Sequence, residues 1–110
     1  MPSDKLWSYM GFVAKAGALQ TGYNTSLSLI ARRKVKLLIV AEDASDNTKK
    51  KMTQKCAGRN VECRVFGTKE KLSHATGNGE NSVFALTDRN FARIVKNEID
   101  RIRSEREVFL

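Results

Sequence analysis

The chain reads as an α/β protein, a single three-layer α-β-α sandwich around a central mixed sheet of about four strands. Three observations predict this. Helix-spaced segments alternate strictly with short apolar runs, giving α-β-α-β-α-β-α-β-α over 110 residues. The greasiest run, VKLLIVA from Val35 to Ala41, is nearly all apolar, as expected of a strand covered on both faces. The length suits one modest core and is too short for two, so residues 1–110 are expected to form a single domain.

The elements follow in order. SDKLWSYMGFVAKAG predicts a first helix, with Ser3 as its cap, Asp4 at the positive end and Lys15 and Gly17 at the finish. Leu6, Tyr9, Met10 and Val13 fall on one face, and Trp7 and Phe12 flank it. ALQTG is a short strand. YNTSLSLIARRK is a second helix with Leu27, Ile30 and Ala31 inward, leading into the strand VKLLIVA. EDASDN is a polar loop. TKKKMTQKCAG is a third helix, with Met52 and Cys56 inward and Lys49, Lys50, Lys51 and Lys55 outward. VECRVF is a strand, and TKEKLSHATG a helix capped by Thr68 and stopped at Gly77. NGEN turns into the strand SVFAL. The last helix, TDRNFARIVKNEIDRIRSE, places Phe91, Val95, Ile99 and Ile102 in register.

Twenty Lys and Arg against 12 Asp and Glu leave a net charge of +8. So basic a small chain is drawn to polyanions, nucleic acid first and an anionic membrane surface second. The plain alternative is a charged surface that serves solubility alone. The start, MPSDKLWSYM, lacks the pattern of a signal peptide, and no apolar run approaches the ~20 residues of a membrane span. Two cysteines, Cys56 and Cys63, are too few for a disulfide framework and lack zinc-ligand spacing. They read as reduced core fillers in a cytoplasmic protein.

No catalytic set emerges. His74 is the one histidine, and no base or nucleophile is placed near it beyond the neighbouring Ser73. Glu42 and Asp43 follow a strand and precede a helix, where acids serve as loop anchors and caps. There is no P-loop and no Gly-x-Gly-x-x-Gly. No enzyme activity, cofactor or metal is expected.

One stretch asks for a ligand. The second helix opens on Gly22, Tyr23, Asn24, Thr25 and Ser26, with no acid in its first turn. Such an opening offers free N–H donors at the positive end of the helix dipole. Gly22 permits close approach of another backbone, Asn24 carries a donor and an acceptor for a base edge, and Thr25 and Ser26 reach phosphate or sugar oxygens. The competing reading is that Asn24 or Thr25 simply caps the helix.

GYNTSLSLIARRKVKLLIVAEDAS, the Lys-rich helix after it and LSHATGNGENSVFALTD resemble the kink-turn RNA-binding ribosomal proteins of the L-seven-Ae and L-thirty-e type. AEDAS, NTKK and HATG are most similar to the small bacterial YlxQ-like branch. The resemblance covers Leu6 to Val95. It implies a helix start that enters the widened groove of a kinked RNA and contacts the guanines of sheared G·A pairs. The family's glycine falls on Gly22 and its asparagine on Asn24, with Tyr23 between them. Its frequent glutamate falls on Thr25 and its helix lysine on Ser28, so a carboxylate and a cation are replaced by hydroxyls. A second RNA-facing loop falls on Ala75, Thr76, Gly77, Asn78 and Gly79. The loop with Asp43 and Ser45 would form a third wall, and Arg32 and Lys34 would meet phosphates.

The expected function is therefore non-catalytic recognition of a kinked or bulged RNA by shape. The implied partner is structured RNA, ribosomal RNA or the ribosome itself, bound by a monomer with no membrane contact. The alternative is a protein–protein adaptor on the same fold, which the departures at Thr25 and Ser28 would suit.

Overall fold

Nine elements alternate in the expected order among residues 4–108, the part of the chain that this computed structural model describes, with side chains to residue 106. They are α1 (Asp4–Lys15), β1 (Leu19–Thr21), α2 (Tyr23–Ala31), β2 (Leu37–Val40), α3 (Asp46–Gly58), β3 (Glu62–Val65), α4 (Lys69–Thr76), β4 (Val83–Leu86) and α5 (Arg89–Val108). The expected cap at Ser3 lies outside the described residues.

The sheet order is β1-β4-β2-β3. β2 and β3 are parallel, and β4 runs antiparallel to both β1 and β2. The two central strands, β4 and β2, are buried at every position. Their side chains alternate between two cores. Leu37, Ile39, Phe84 and Leu86 meet Leu6, Met10 and Val13 of α1, Leu72 of α4, and Val95, Ile99 and Ile102 of α5. Leu38, Val40, Val83 and Ala85 meet Ile30 of α2 and Met52 and Cys56 of α3. A strand that feeds two cores has no polar face, which is why VKLLIVA shows no alternation.

Helix ends set the loops. α2 stops at Ala31, short of the expected Lys34, because Arg33 takes a left-handed conformation (φ 60°). The Arg33 N–H donates to Ile30 O and the Lys34 N–H to Leu29 O, satisfying the last carbonyls and turning the chain toward β2. Ala31, expected inside, is exposed at that end; the inner face of α2 is Ile30 and Ser26, with Leu27 and Leu29 partly buried. α3 begins two residues earlier than its lysine run suggests, since Ser45 accepts from the Thr48 N–H and caps it. Lys49 is not turned wholly to solvent: its Nζ donates to Glu42 O at 3.0 Å and lies 3.7 Å from Asp46. Cys56 is buried and Cys63 half-buried, both as free thiols. The hydrogen bond between them raises the Cys56 pKa, as does burial, and lowers that of Cys63.

α5 is tied to the sheet edge by charge. Arg64 on β3 donates through Nε and Nη2 to both carboxylate oxygens of Asp100, at 2.8 and 3.1 Å. That two-point bond holds the Asp100 carboxyl below the usual carboxylate range.

Ser26 is wholly buried where α2 packs toward β4, and its Oγ has no hydrogen-bond partner among the described residues. A small residue is needed there, but an unpartnered hydroxyl costs about 1–3 kcal/mol. Ser26→Ala is therefore expected to raise Tm, since alanine keeps the volume and favours helix. A Tm that falls would mean that the hydroxyl is engaged.

Candidate nucleic-acid interface

Strand directions gather four loops at one end of the sheet. β1, β2 and β3 all finish there and β4 starts there, as the pairings Thr21↔Phe84, Val40↔Val83 and Val40↔Val65 require. The first turns of α2, α3 and α4 follow those strand ends, and the α4–β4 loop enters from the side. Ligands of open α/β sheets commonly sit beyond the carboxyl ends of the strands.

Hydrogen bonds lock these loops together. The Gly22 N–H donates to Val83 O at 3.0 Å, and the Ala41 N–H to Ser82 O at 2.9 Å. The Glu42 N–H donates to Gly67 O at 2.7 Å, while the Gly67 N–H returns a bond to Glu42 Oε2 at 2.9 Å. Asp43 Oδ1 accepts from the Lys69 N–H at 2.9 Å, at the start of α4. The pair Glu42 and Asp43 thus anchors and caps, as read from sequence. The Asn81 N–H donates to Ser73 Oγ, and its side-chain amide to Gly79 O, which shapes the α4–β4 loop.

Within this frame one helix start is bare. α3 is capped by Ser45, α4 by Thr68 and α5 by Asp88, each through a side-chain oxygen. At α2 the cap position is Gly22, and no side chain caps the helix. Neither Asn24 nor Thr25 is the cap, so the competing reading of these residues is removed. Both lie within the first turn, with side chains exposed. The N–H groups of Tyr23, Asn24 and Thr25 have no partner among the described residues, the first bond of the helix being Ser26 N–H to Gly22 O. Tyr23 stands beside them, 40% exposed. Gly22 adopts φ 109° and ψ 155°, a region that glycine alone enters without strain. Crowding is not the reason for glycine here, since an added Cβ would stand 3.9 Å from Thr25 Oγ1 and 4.0 Å from Asn81 Oδ1.

The remaining sequence candidates divide into three groups. Thr76, Gly77 and Asn78 are at the same end as the α2 start. Thr76 is buried with its Oγ1 bonded to Leu72 O, Gly77 closes α4, and the Asn78 amide donates to Thr76 O. Asp43 and Ser45 are at this end too, with their side-chain oxygens used for caps. Arg32 and Lys34 are not brought to it. They lie beyond the C-terminus of α2, where a groove lined by Thr25, Arg32, Arg33, Lys34 and Lys36 runs along the helix. Ser28 is exposed between the two ends.

Sequence reasoning passed over Asn81 and Lys36. The signal for Lys36 was its closeness to the basic run Arg32–Lys34, from which buried Val35 separates it, whereas Asn81 reaches Gly22 only through the fold. His74 is exposed in the last turn of α4, in a shallow groove with Trp7, Glu70 and Lys71. Among the described residues, no three His, Cys, Asp or Glu side chains converge as metal ligands, and no helix is long and apolar enough to cross a membrane.

The structure thus sets a bare helix start at the same end of the sheet as the loops 42–45 and 76–81. The model of the ribosomal protein L7Ae/L30e/S12e/Gadd45 family matches residues 4–96. The chain belongs to that family. It is 32% identical over 97 residues to the RNA-binding protein YlxQ of Enterococcus faecium, covering 88% of this chain and 93% of that protein. With the RNA-binding protein YlxQ of Bacillus subtilis it shares 30% identity over 91 residues, covering 83% and 91%. A solved Bacillus halodurans protein of unknown function superposes with a TM-score of 0.85 at 32% identity, covering 87% and 97% of the two chains. The Giardia lamblia 15.5kD RNA binding protein superposes with a TM-score of 0.75 at 21% identity, covering 94% and 88%, which supports the fold alone. The L7Ae family and its YlxQ members are non-catalytic RNA-binding proteins.

Proposed function

We propose that this chain is a single-domain RNA-binding protein that recognises a kinked or bulged structured RNA through the start of α2. The observation that carries the reading is the uncapped first turn, with three unpartnered N–H donors beside the free side chains of Tyr23, Asn24 and Thr25. Backbone donors and the helix dipole suit phosphate, and the Asn24 amide suits a guanine or adenine edge. The loop Gly77–Ser82 and the loop Glu42–Ser45 flank the reading head, with most of their polar groups already bonded internally. They act as rigid walls that select shape rather than as donors of sequence-specific contacts. Arg32 and Lys34 meet the phosphates of an RNA arm that lies along α2. The target in this reading is ribosomal RNA on the cytoplasmic ribosome, which a ribosomal-protein family and RNA-binding relatives suit, and the binding unit is a monomer.

The test is a binding series on a kink-turn hairpin and on the same hairpin with its G·A pairs replaced by Watson–Crick pairs. The kinked RNA should bind more tightly. Its affinity should fall more than ~10-fold between low and moderate salt, as neutralising a few phosphates requires. Equal, weak and salt-independent binding of both RNAs would sink the reading and favour a protein–protein adaptor.

A further inference from the structure

The excess charge of the chain is concentrated on one layer. The stretches 23–34 and 46–59, which hold α2 and α3, carry eight Lys and Arg and a single acid, Asp46. The rest of the chain is nearly balanced, with 12 basic residues and 11 acids. Between the two helices runs an open groove. One wall is Lys51 and Lys55 on α3 with Arg59 just past its end, and the other is Leu27, Ile30 and Ala31 on α2. The three cations are spaced by four residues, so they climb the helix in steps of about 6 Å on one face. All three are exposed and none has an ion pair or hydrogen bond through its side chain among the described residues. This is unlike Lys49, Arg64 and Arg101, which are engaged by Asp46, Asp100 and Glu98.

Direction adds a second constraint. α2 and α3 follow the parallel strands β1 and β2 and run the same way. The groove therefore follows the later halves of both helices, from Leu27 and Lys51, about one turn beyond the α2 start, to Ala31 and Arg59. We propose that it is a track for a single-stranded RNA segment that flanks the structured RNA. Phosphates pass along Lys51, Lys55 and Arg59, and base faces lie against Leu27 and Ala31 and the Arg59 guanidinium. A duplex would satisfy the cations but hides its base faces in its own stack, leaving the apolar wall uncovered. An acidic peptide satisfies the charge but brings no base faces to lie on the apolar wall and the Arg59 guanidinium. The inference rests on the RNA reading of α2 and extends it to a second, sequence-tolerant contact.

The test compares the parent with the variant Lys51→Gln/Lys55→Gln/Arg59→Gln on four probes: a blunt kink-turn hairpin, the hairpin with a tail of about a dozen uridines, the hairpin with a lengthened stem, and the uridine oligomer alone. All three substitutions are at exposed positions, two within α3 and one at its C-cap; circular dichroism and Tm establish that the variant is folded, and the single Lys51→Gln and Lys55→Gln changes give the same reading with smaller effects. The tail should tighten binding to the parent several-fold, and the variant should lose that gain while binding the blunt hairpin like the parent. The slope of log affinity against log salt for the tailed RNA should shrink by about 2, near 0.7 for each lost single-strand phosphate contact. A tail that adds nothing to the parent overturns the proposal. So does a gain from the longer stem instead, or displacement of the tail by polyglutamate more readily than by oligouridine. If Asn24→Ala leaves hairpin binding unchanged while the variant still loses the uridine oligomer, the α2 reading falls and the groove stands.

Discussion

Asn24→Ala is expected to weaken binding of a kinked RNA by roughly 5- to 150-fold, the equivalent of about 1–3 kcal/mol for one base-edge contact. The size follows from what the amide would lose. Asn24 stands in the first turn of a helix whose end is open, and its side chain makes no hydrogen bond among the described residues. In the complex its N–H2 and C=O would both be paired, and alanine would leave the base edge without either partner. Stability should barely move. An asparagine at the cap position contributes about 1 kcal/mol to a helix, but here that position is Gly22. Alanine also has the higher helix propensity, so Tm should stay level or rise slightly. Filter binding or fluorescence anisotropy on the folded variant, beside a thermal melt, checks both. A fall in Tm with affinity retained would return Asn24 to a structural role and remove the reading head.

The largest effect on stability is expected at Gly67, just after β3. It has φ +76°, and an added Cβ would stand 2.9 Å from Trp7 Cη2 and 3.3 Å from Leu72 Cγ. Two costs combine in Gly67→Ala: left-handed backbone for a residue with a side chain, and a clash inside the α1–α4 packing. Together they come to about 2–4 kcal/mol, or a Tm fall on the order of 10 °C in a chain of this size. The substitution should also disturb binding, because Gly67 exchanges two hydrogen bonds with Glu42 and so holds the loop beside α2. Gly17→Ala is the control. Gly17 has a similar φ, +72°, but nothing lies within 4 Å of its Cβ position, so only the backbone cost of about 1–2 kcal/mol should appear. Equal losses at the two positions would show that the Trp7 contact relaxes freely and that crowding contributes nothing.

Local physics made much of this protein legible in its sequence. The alternation of helix-spaced and strand-length apolar segments determined the nine elements and their order. Thr68, Gly77 and the Met52–Cys56 pair act as their chemistry and spacing imply. The open start of α2 was also visible, because a glycine followed by polar side chains without an acid is a local signal. What the sequence left undecided was whether Asn24 or Thr25 caps that helix or is left free for a ligand, and so which of the two would be the cap. The answer is neither, and it depends on Gly22 entering a conformation that its bond to Val83 on another strand helps to hold.

The interface as a place belongs to tertiary structure. Residues 22–25, 42–45 and 76–81 meet because β1, β2 and β3 point the same way while β4 returns between β1 and β2. No local pattern encodes that order; it is selected by burying Leu37, Ile39, Phe84 and Leu86 in one core and Leu38, Val40, Val83 and Ala85 in the other. The same packing sends Arg32 and Lys34 to the far end of α2, although they are only a few residues from Asn24 along the chain. A helix of nine residues is about 13 Å long, so neighbours in sequence become opposite ends of a surface. The net charge was a property of the composition, but its concentration on the α2–α3 layer is a property of the fold. The sequence by itself determined the elements, the charge and the bare helix start; only the packing of two cores on one sheet decided which of those residues a single RNA could touch at once.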